Sequence, residues 1–192
     1  IELKRGADPA ATLKTLFRGT SLKMTFGAHM IALDGGEPKR FDLKRMLERF
    51  RDHRVQVIQR RSRHDLEKAE AERHVVQGLL AALDHIDEVI KIIRASADRA
   101  AASERLQDRF GLSEVQADAI LNMRLAKLTA LERTQLENRL AELQARIEEL
   151  RGILDSEERQ LEIMLDELGE VVKQYGDERR TVVDDHLPVL LG

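Results

Sequence analysis

The sequence has no cysteine, no tryptophan, one tyrosine and three prolines in 192 residues. Without cysteine there is no disulfide framework, no thiolate metal site and no cysteine nucleophile, a usage that fits a reducing compartment. Aromatic residues make up 3% of the chain, too few for the core of a sandwich or barrel. The longest uninterrupted apolar run is Leu79 to Leu83, far short of the about 20 residues of a membrane helix. No charged-then-apolar opening reads as a signal peptide, and a cytoplasmic location is expected. There is no Gly-x-x-x-x-Gly-Lys phosphate loop, no Gly-x-Ser-x-Gly elbow and no His-Glu-x-x-His metal motif. The opening on Ile1, in what reads as mid-strand, suggests an excised piece.

What is present is charge and helix formers. Charged residues are 35% of the chain and apolar residues 42%. The formal net charge is −3, but it is unevenly spread. Lys39 to Arg63 holds ten Lys/Arg against three Asp/Glu, whereas Glu137 to Asp185 holds fifteen Asp/Glu against seven Lys/Arg. A basic segment of this kind either faces a polyanion or is neutralised by the acidic one.

The chain divides by pattern. Residues 1–41 read as a small α/β piece. It has a strand at Ile1–Lys4, a helix from Pro9 behind an Asp8 cap, β character from Leu22 to Leu33, an Asp34-Gly35-Gly36 turn and a return strand to Phe41. Residues 42–95 read as the outgoing segment, one helix from Leu43 to about Arg94 capped by Asp42, about 78 Å long at 1.5 Å per residue. Its far half carries Val76, Leu79, Leu83, Ile86, Ile90 and Ile93 at alternating spacings of 3 and 4, a coiled-coil seam. Upstream, Ser62, Asp65 and Glu72 dilute the stripe.

Residues 96–129 read as a helical knob. Ser96 is placed to cap a first short helix ended by Gly111, and Ser113 with Gln116 makes a capping box for a second. That second helix is apolar nearly all round, so it is buried in a core or an interface. Thr129 and Glu132 form another capping box. It opens the returning helix, 130–176, with Leu136, Leu140, Leu143, Ile147, Leu150, Leu154, Leu161, Met164, Leu168, Val171 and Tyr175 on one stripe. Glu157 is its one polar exception, beside a candidate break at Asp155-Ser156-Glu157, and Gly176 is its C-cap. Residues 177–192 are a tail. The expected fold is mainly α: a long antiparallel coiled-coil hairpin with a small helical knob at its tip and a short α/β remnant at its base.

Catalytic and metal residues are not found. His85 lies between Asp84 and Asp87, but residues one or two apart do not share a helix face, so it reads as a surface residue. His74 and His64 read as helix-surface partners of Glu70 and Glu67. Tyr175 reads as the aromatic that closes the end of the seam. The candidates for contact with a nucleic-acid backbone are Lys39, Arg40, Arg54, Arg60 and Arg61. No aromatic platform interleaves them, so any contact is to phosphate and not to bases. On residues alone a dimerisation gate of a DNA-handling enzyme, a chaperone-like coiled-coil clamp and an autonomous enzyme are all open. The third lacks a site, and the basic run favours the first.

The order of motifs is specific. Leu22-Lys23-Met24-Thr25-Phe26-Gly27-Ala28-His29-Met30 is followed by Ala32-Leu33-Asp34-Gly35 and by Asp52-His53-Arg54-Val55-Gln56-Val57-Ile58-Gln59-Arg60-Arg61. Then come Leu83-Asp84-His85-Ile86-Asp87-Glu88-Val89-Ile90, Gln116-Ala117-Asp118-Ala119-Ile120-Leu121-Asn122-Met123-Arg124-Leu125 and Tyr175-Gly176-Asp177-Glu178-Arg179-Arg180-Thr181. Over about residues 1–181 this resembles the gyrase A family of bacterial type IIA topoisomerases, more than the paralogous topoisomerase IV family. The resemblance implies the end of the tower subdomain, the coiled-coil arms and the exit-gate dimerisation knob of a DNA breakage-reunion protein. It implies that the catalytic tyrosine lies upstream, so no catalytic residue is carried over and the piece is inactive alone. It further implies ATP and Mg²⁺ handled through a gyrase B partner, an A2B2 assembly on double-stranded DNA at the nucleoid, no membrane, and a homodimer through the knob. The interface candidates are Gln116, Ala119, Ile120, Met123, Lys127 and Leu128.

Overall fold

The computed structural model describes residues 2–123 and 130–182. The chain divides into two compact units, residues 1–51 and 52–192.

In the first unit, α1 (Pro9–Gly19) starts where Asp8 Oδ1 accepts the Ala10 N–H at 2.9 Å, with Pro9 in the first turn. β1 (Met30–Asp34) and β2 (Glu37–Phe41) form an antiparallel hairpin with Met30 opposite Phe41 and Asp34 opposite Glu37. The turn glycines Gly35 and Gly36 have φ of 65° and 87°, the left-handed pair a tight hairpin turn demands. Two sequence expectations are corrected here. Residues 2–4 and Leu22–His29 are not strand, and the sheet begins only at Met30. Alternation alone does not make a strand; the backbone also needs a partner, and among the described residues only β2 supplies one.

The helix α2 (Leu43–Asp84) begins in the first unit, where Asp42 Oδ1 accepts the Arg45 N–H at 2.7 Å, and runs into the second. It ends ten residues before the expected point. His85 has φ −122° and ψ 32°, and α3 (Ile86–Ala95) follows it. The break turns Val89 and Ile92 toward α4 (Arg99–Phe110) and α5 (Glu114–Leu121), which pack with α3 into the knob. The N-cap of α4 is Asp98, not Ser96; Ser96 instead donates to Ile92 O at 2.8 Å and closes α3. The other two local signals hold. Gly111 ends α4 at φ 63°, and the Ser113–Gln116 capping box opens α5. The knob core is Ala82, Val89, Leu106, Ala117 and Ile120.

The return path is α6 (Ala130–Asp155) and α7 (Glu157–Tyr175). The Thr129 cap lies outside the described residues. Leu143 and Ile147 of α6 bury against Ala69 and Val76 of α2, and Ile153 and Met164 bury against Ile58. Positions rising along α2 thus meet positions falling along the return path, so the two run antiparallel. Ion pairs flank this seam: Arg133 to Asp84 at 2.7 Å, Arg139 to Glu72 at 2.8 Å, and Arg151 to Glu70. The expected mainly α hairpin with a helical knob is therefore the observed architecture.

The seam differs from the expected stripe in detail. On α2 it runs through Ile58, Ser62, Leu66 and Ala69, in the stretch that looked diluted, and on through Val76, which was expected, and Leu80. Leu79 packs on the knob core instead, and Ile93 is exposed. Near the tip α2 is covered on two sides, Val76 facing α6 while Gly78 and Ala82 face the knob. The break expected at residues 155–157 is present, with Ser156 as the N-cap of α7. There Ile153 and Gln160 are buried in place of Leu154 and Glu157. Gln160 is 2% exposed. Its Nε2 donates to Ile153 O at 2.7 Å and Leu154 O at 3.2 Å, and its Oε1 accepts from Gln59 at 2.8 Å. One buried amide thus caps the carbonyls that the break frees. Tyr175 is 72% exposed and closes no seam, and Val171 is exposed as well. Gly176 is the C-cap, in extended rather than left-handed conformation. The tail has no helix or strand over residues 177–182, and 183–192 lies outside the described residues.

Candidate functional site

Helix α5 has two faces. Gln116, Ala117 and Ile120 point inward, and Ile120 is 3% exposed. Val115 and Ala119, four residues apart on α5, share its other side, and Met123 follows the end of the helix. Val115 is 60% exposed, and Ala119 and Met123 are partly so. Arg99 holds the outward polar groups, donating to Asn122 Oδ1 at 3.0 Å and Asp118 Oδ1 at 3.2 Å.

The inward face docks on α2 through an unusually close approach. The Gln116 Nε2 donates to His74 O at 2.7 Å, its Oε1 accepts the Ser113 N–H at 3.0 Å, and His74 Nε2 lies 2.7 Å from Ser113 Oγ. A Cβ at Gly78 would meet Gln116 Cβ and Cγ at 2.7 Å, so only glycine admits this packing unchanged. His74 thus ties the knob to the arm and is not a surface partner of Glu70. At the tip His85 stacks on Phe110, with ring centroids 5.6 Å apart. Beside it Arg109 Nε donates to Glu88 at 2.5 Å and holds that carboxyl below its ordinary range.

Of the six interface candidates, two lie inside their own chain. Gln116 and Ile120 are buried by their own chain, Gln116 as the capping-box residue against α2 and Ile120 in the knob core, and neither has surface to offer a partner. Ala119 and Met123 are half-buried; Lys127 and Leu128 lie outside the described residues. The outward Val115 is not among the sequence candidates, although its four-residue spacing to Ala119 is a legible signal.

The five backbone candidates also separate. In the first unit, Lys39 pairs with Asp34 at 3.3 Å and Arg40 is exposed on β2. In the second, Arg60 is exposed, whereas Arg54 and Arg61 both reach Glu167 on α7, Arg61 at 2.7 Å. The hydrogen bond from Arg61, aided by the charge of Arg54, holds the Glu167 carboxyl below its ordinary range. Among the described residues no group of three His, Asp or Glu is placed to hold a metal ion, and no helix is long and apolar enough to cross a membrane.

The second unit is thus an antiparallel coiled-coil arm carrying a compact helical body. The comparisons with known proteins give its family. The family model of the DNA gyrase/topoisomerase IV A subunit matches residues 1–169, and the chain belongs to that family. It is 46% identical over 184 residues to the DNA gyrase A subunit of Clostridium acetobutylicum, covering 96% of this chain and 22% of that protein. Against the DNA gyrase A subunit of Streptococcus pneumoniae serotype 4 it is 46% identical over 181 residues, 94% of this chain and 22% of that protein. Against the protein of the same name from Deinococcus deserti it is 45% identical over 185 residues, 96% and 23%. The chain thus spans about a fifth of the length of the curated relatives it matches.

Proposed function

We propose that this segment forms the arm and the dimer gate of a gyrase A protein. Two copies meet knob to knob, and the arms hold that meeting point at a distance from the residues that break DNA. A duplex passed through the break then leaves by parting the knobs. The parent assembly joins two gyrase A chains to two gyrase B chains on double-stranded DNA at the nucleoid, with ATP and Mg²⁺ handled through gyrase B. The segment itself carries the gate and not the bond-breaking chemistry.

The observation that carries this reading is the division of α5. Its inner face is consumed by the knob core, while Val115 is exposed and Ala119 and Met123 remain partly accessible. A patch of this kind at the end of an arm suits a two-fold contact, in which each copy presents the same surface. Along the seam α2 and the return path bury their apolar residues within one chain, while Leu165, Val171 and Val172 of α7 stay exposed.

Sedimentation equilibrium over a range of concentrations tests it. The chain is expected to be a dimer, and Met123→Asp and Ala119→Asp to be monomers of unchanged helix content, because the charge meets its own symmetry mate in a desolvated contact. Both variants remaining dimeric would overturn the assignment.

A further inference from the structure

The arm brings two guanidinium groups to one carboxylate. Arg54 and Arg61 lie seven residues apart on α2, and each places its Nη2 on a different oxygen of Glu167. Their charge exceeds that of the carboxylate by one, and the Arg61 side chain is about half open to water (51%). The Nε of Arg54 is buried with no acceptor. Two arginine forks, surplus positive charge and an orphan donor are the elements of an oxyanion site, because the planar guanidinium matches phosphate and carboxylate alike. Glu167 then stands where a phosphate oxygen pair would stand.

The surroundings select a polyanion over a single small anion. From His53 to His64 there is no acidic residue, and four arginines fall within that stretch. Arg60 and Arg63, on the same helix, are exposed. Arg60 lies next to Arg61 around the helix and extends the cluster, whereas Arg63 is on the side opposite Arg54; several cations side by side match neighbouring phosphates of a duplex better than one small anion.

We infer that Arg54 and Arg61 form a contact site for the phosphate backbone of duplex DNA, and that Glu167 is its internal counter-ion, which the backbone must displace or outbid. This rests on the reading of the segment as a gyrase arm and adds to it the place where the arm touches the duplex and the residue that weakens that touch. The function of such a mask is to let a passing duplex be sensed without being held.

The test is binding of a short fluorescent duplex to the chain, by anisotropy over a series of salt concentrations. Glu167→Gln keeps the shape and removes the competing charge. It is expected to tighten binding roughly tenfold at low salt and to steepen the log–log salt slope by about 1 to 2, since each phosphate contact contributes close to one. Adding Arg54→Gln and Arg61→Gln to that background removes the gain, and changing the duplex sequence alters nothing. Unchanged affinity and slope in Glu167→Gln with intact helix content would overturn the site. So would inorganic phosphate binding at the cluster while the duplex shows no gain. Should Glu167→Gln lose helix content, Arg61→Gln in the unaltered chain decides: a weaker, shallower response supports the site, and an unchanged one overturns it. Dimer mass measured in parallel separates this from the gate, since a monomer that gains affinity fails the gate alone and a dimer that gains none fails the site alone.

Discussion

In the knob, Val89, Leu106 and Ala117 lose nearly all their surface to water within one small cluster, whereas on α2 the arm's seam passes through Ser62 and Ala69. The knob is a globular core in miniature. The arm is a narrow strip in which Leu143 and Ile147 of α6 meet Ala69 and Val76 of α2, with ion pairs between the two helices beside it. The first arrangement depends on shape and tolerates little; the second spreads its stability over length and charge.

The largest expected break in this contrast is Leu106→Ala. It leaves a cavity in a cluster with few neighbours to collapse into it, and should cost about 2–5 kcal/mol in urea unfolding. Ser62→Ala in the seam should cost far less, because it removes a single oxygen where Leu106→Ala removes three carbons. If the two cost the same, the distinction between knob and arm fails.

Two helical glycines give a finer test. Gly78→Ala drives a Cβ against Gln116 Cβ and Cγ, which are fixed by α5, and should destabilise by about 1–3 kcal/mol despite the better helix former. Gly152→Ala meets only the far end of the Arg159 side chain, which can swing away. That substitution should stabilise by up to about 1 kcal/mol. Thermal unfolding of the two variants should therefore read opposite signs, and two shifts of the same sign would mean that the knob is loosely docked on α2.

The smallest effect is one of pH. In the arm, hydrogen bonds from Arg139 hold Glu72, and hydrogen bonds from Arg61 hold Glu167, below the ordinary carboxylate value of 4.5. A carboxyl depressed by folding contributes stability above its unfolded value and loses it as pH falls through its folded value. The urea midpoint should therefore be flat above about pH 5.5 and decline below 4.5, and Glu72→Gln should flatten part of that decline. Because Glu72 and Arg139 are well exposed, the effect should shrink in high salt.

Much of this fold is legible in the sequence because its signals are local. The heptads from Leu136 to Leu150, the Ser113–Gln116 box and the stops at Gly111 and Ser156 each depend on residues a few positions apart. The departures fall where a distant partner decides. Ser62 looks like a gap in a stripe yet is buried in the fold, Ala69 gains its bulk only from Leu143 and Ile147 of α6, and Gln160 looks like a surface residue until the break gives it carbonyls to cap. For the candidate site, spacing locates α5 but does not say which of its faces the knob consumes, so it offers Gln116 and Ile120 as interface and leaves Val115 aside. The basic run is plain in composition, while the capture of Arg54 and Arg61 by Glu167 depends on a pairing more than a hundred residues long in sequence.

The interruption at Ser156 has a consequence for how such an arm can change over generations. In an unbroken helix an inserted residue turns everything after it by about 100°, carrying the whole apolar stripe off its partner. Here α6 is finished by Gln160 and α7 starts afresh from Ser156, so the phase of the stripe is set twice. A length change confined to this junction leaves the upper half of the arm in step, and the two halves are free to drift in sequence as separate pieces sharing one opposing helix.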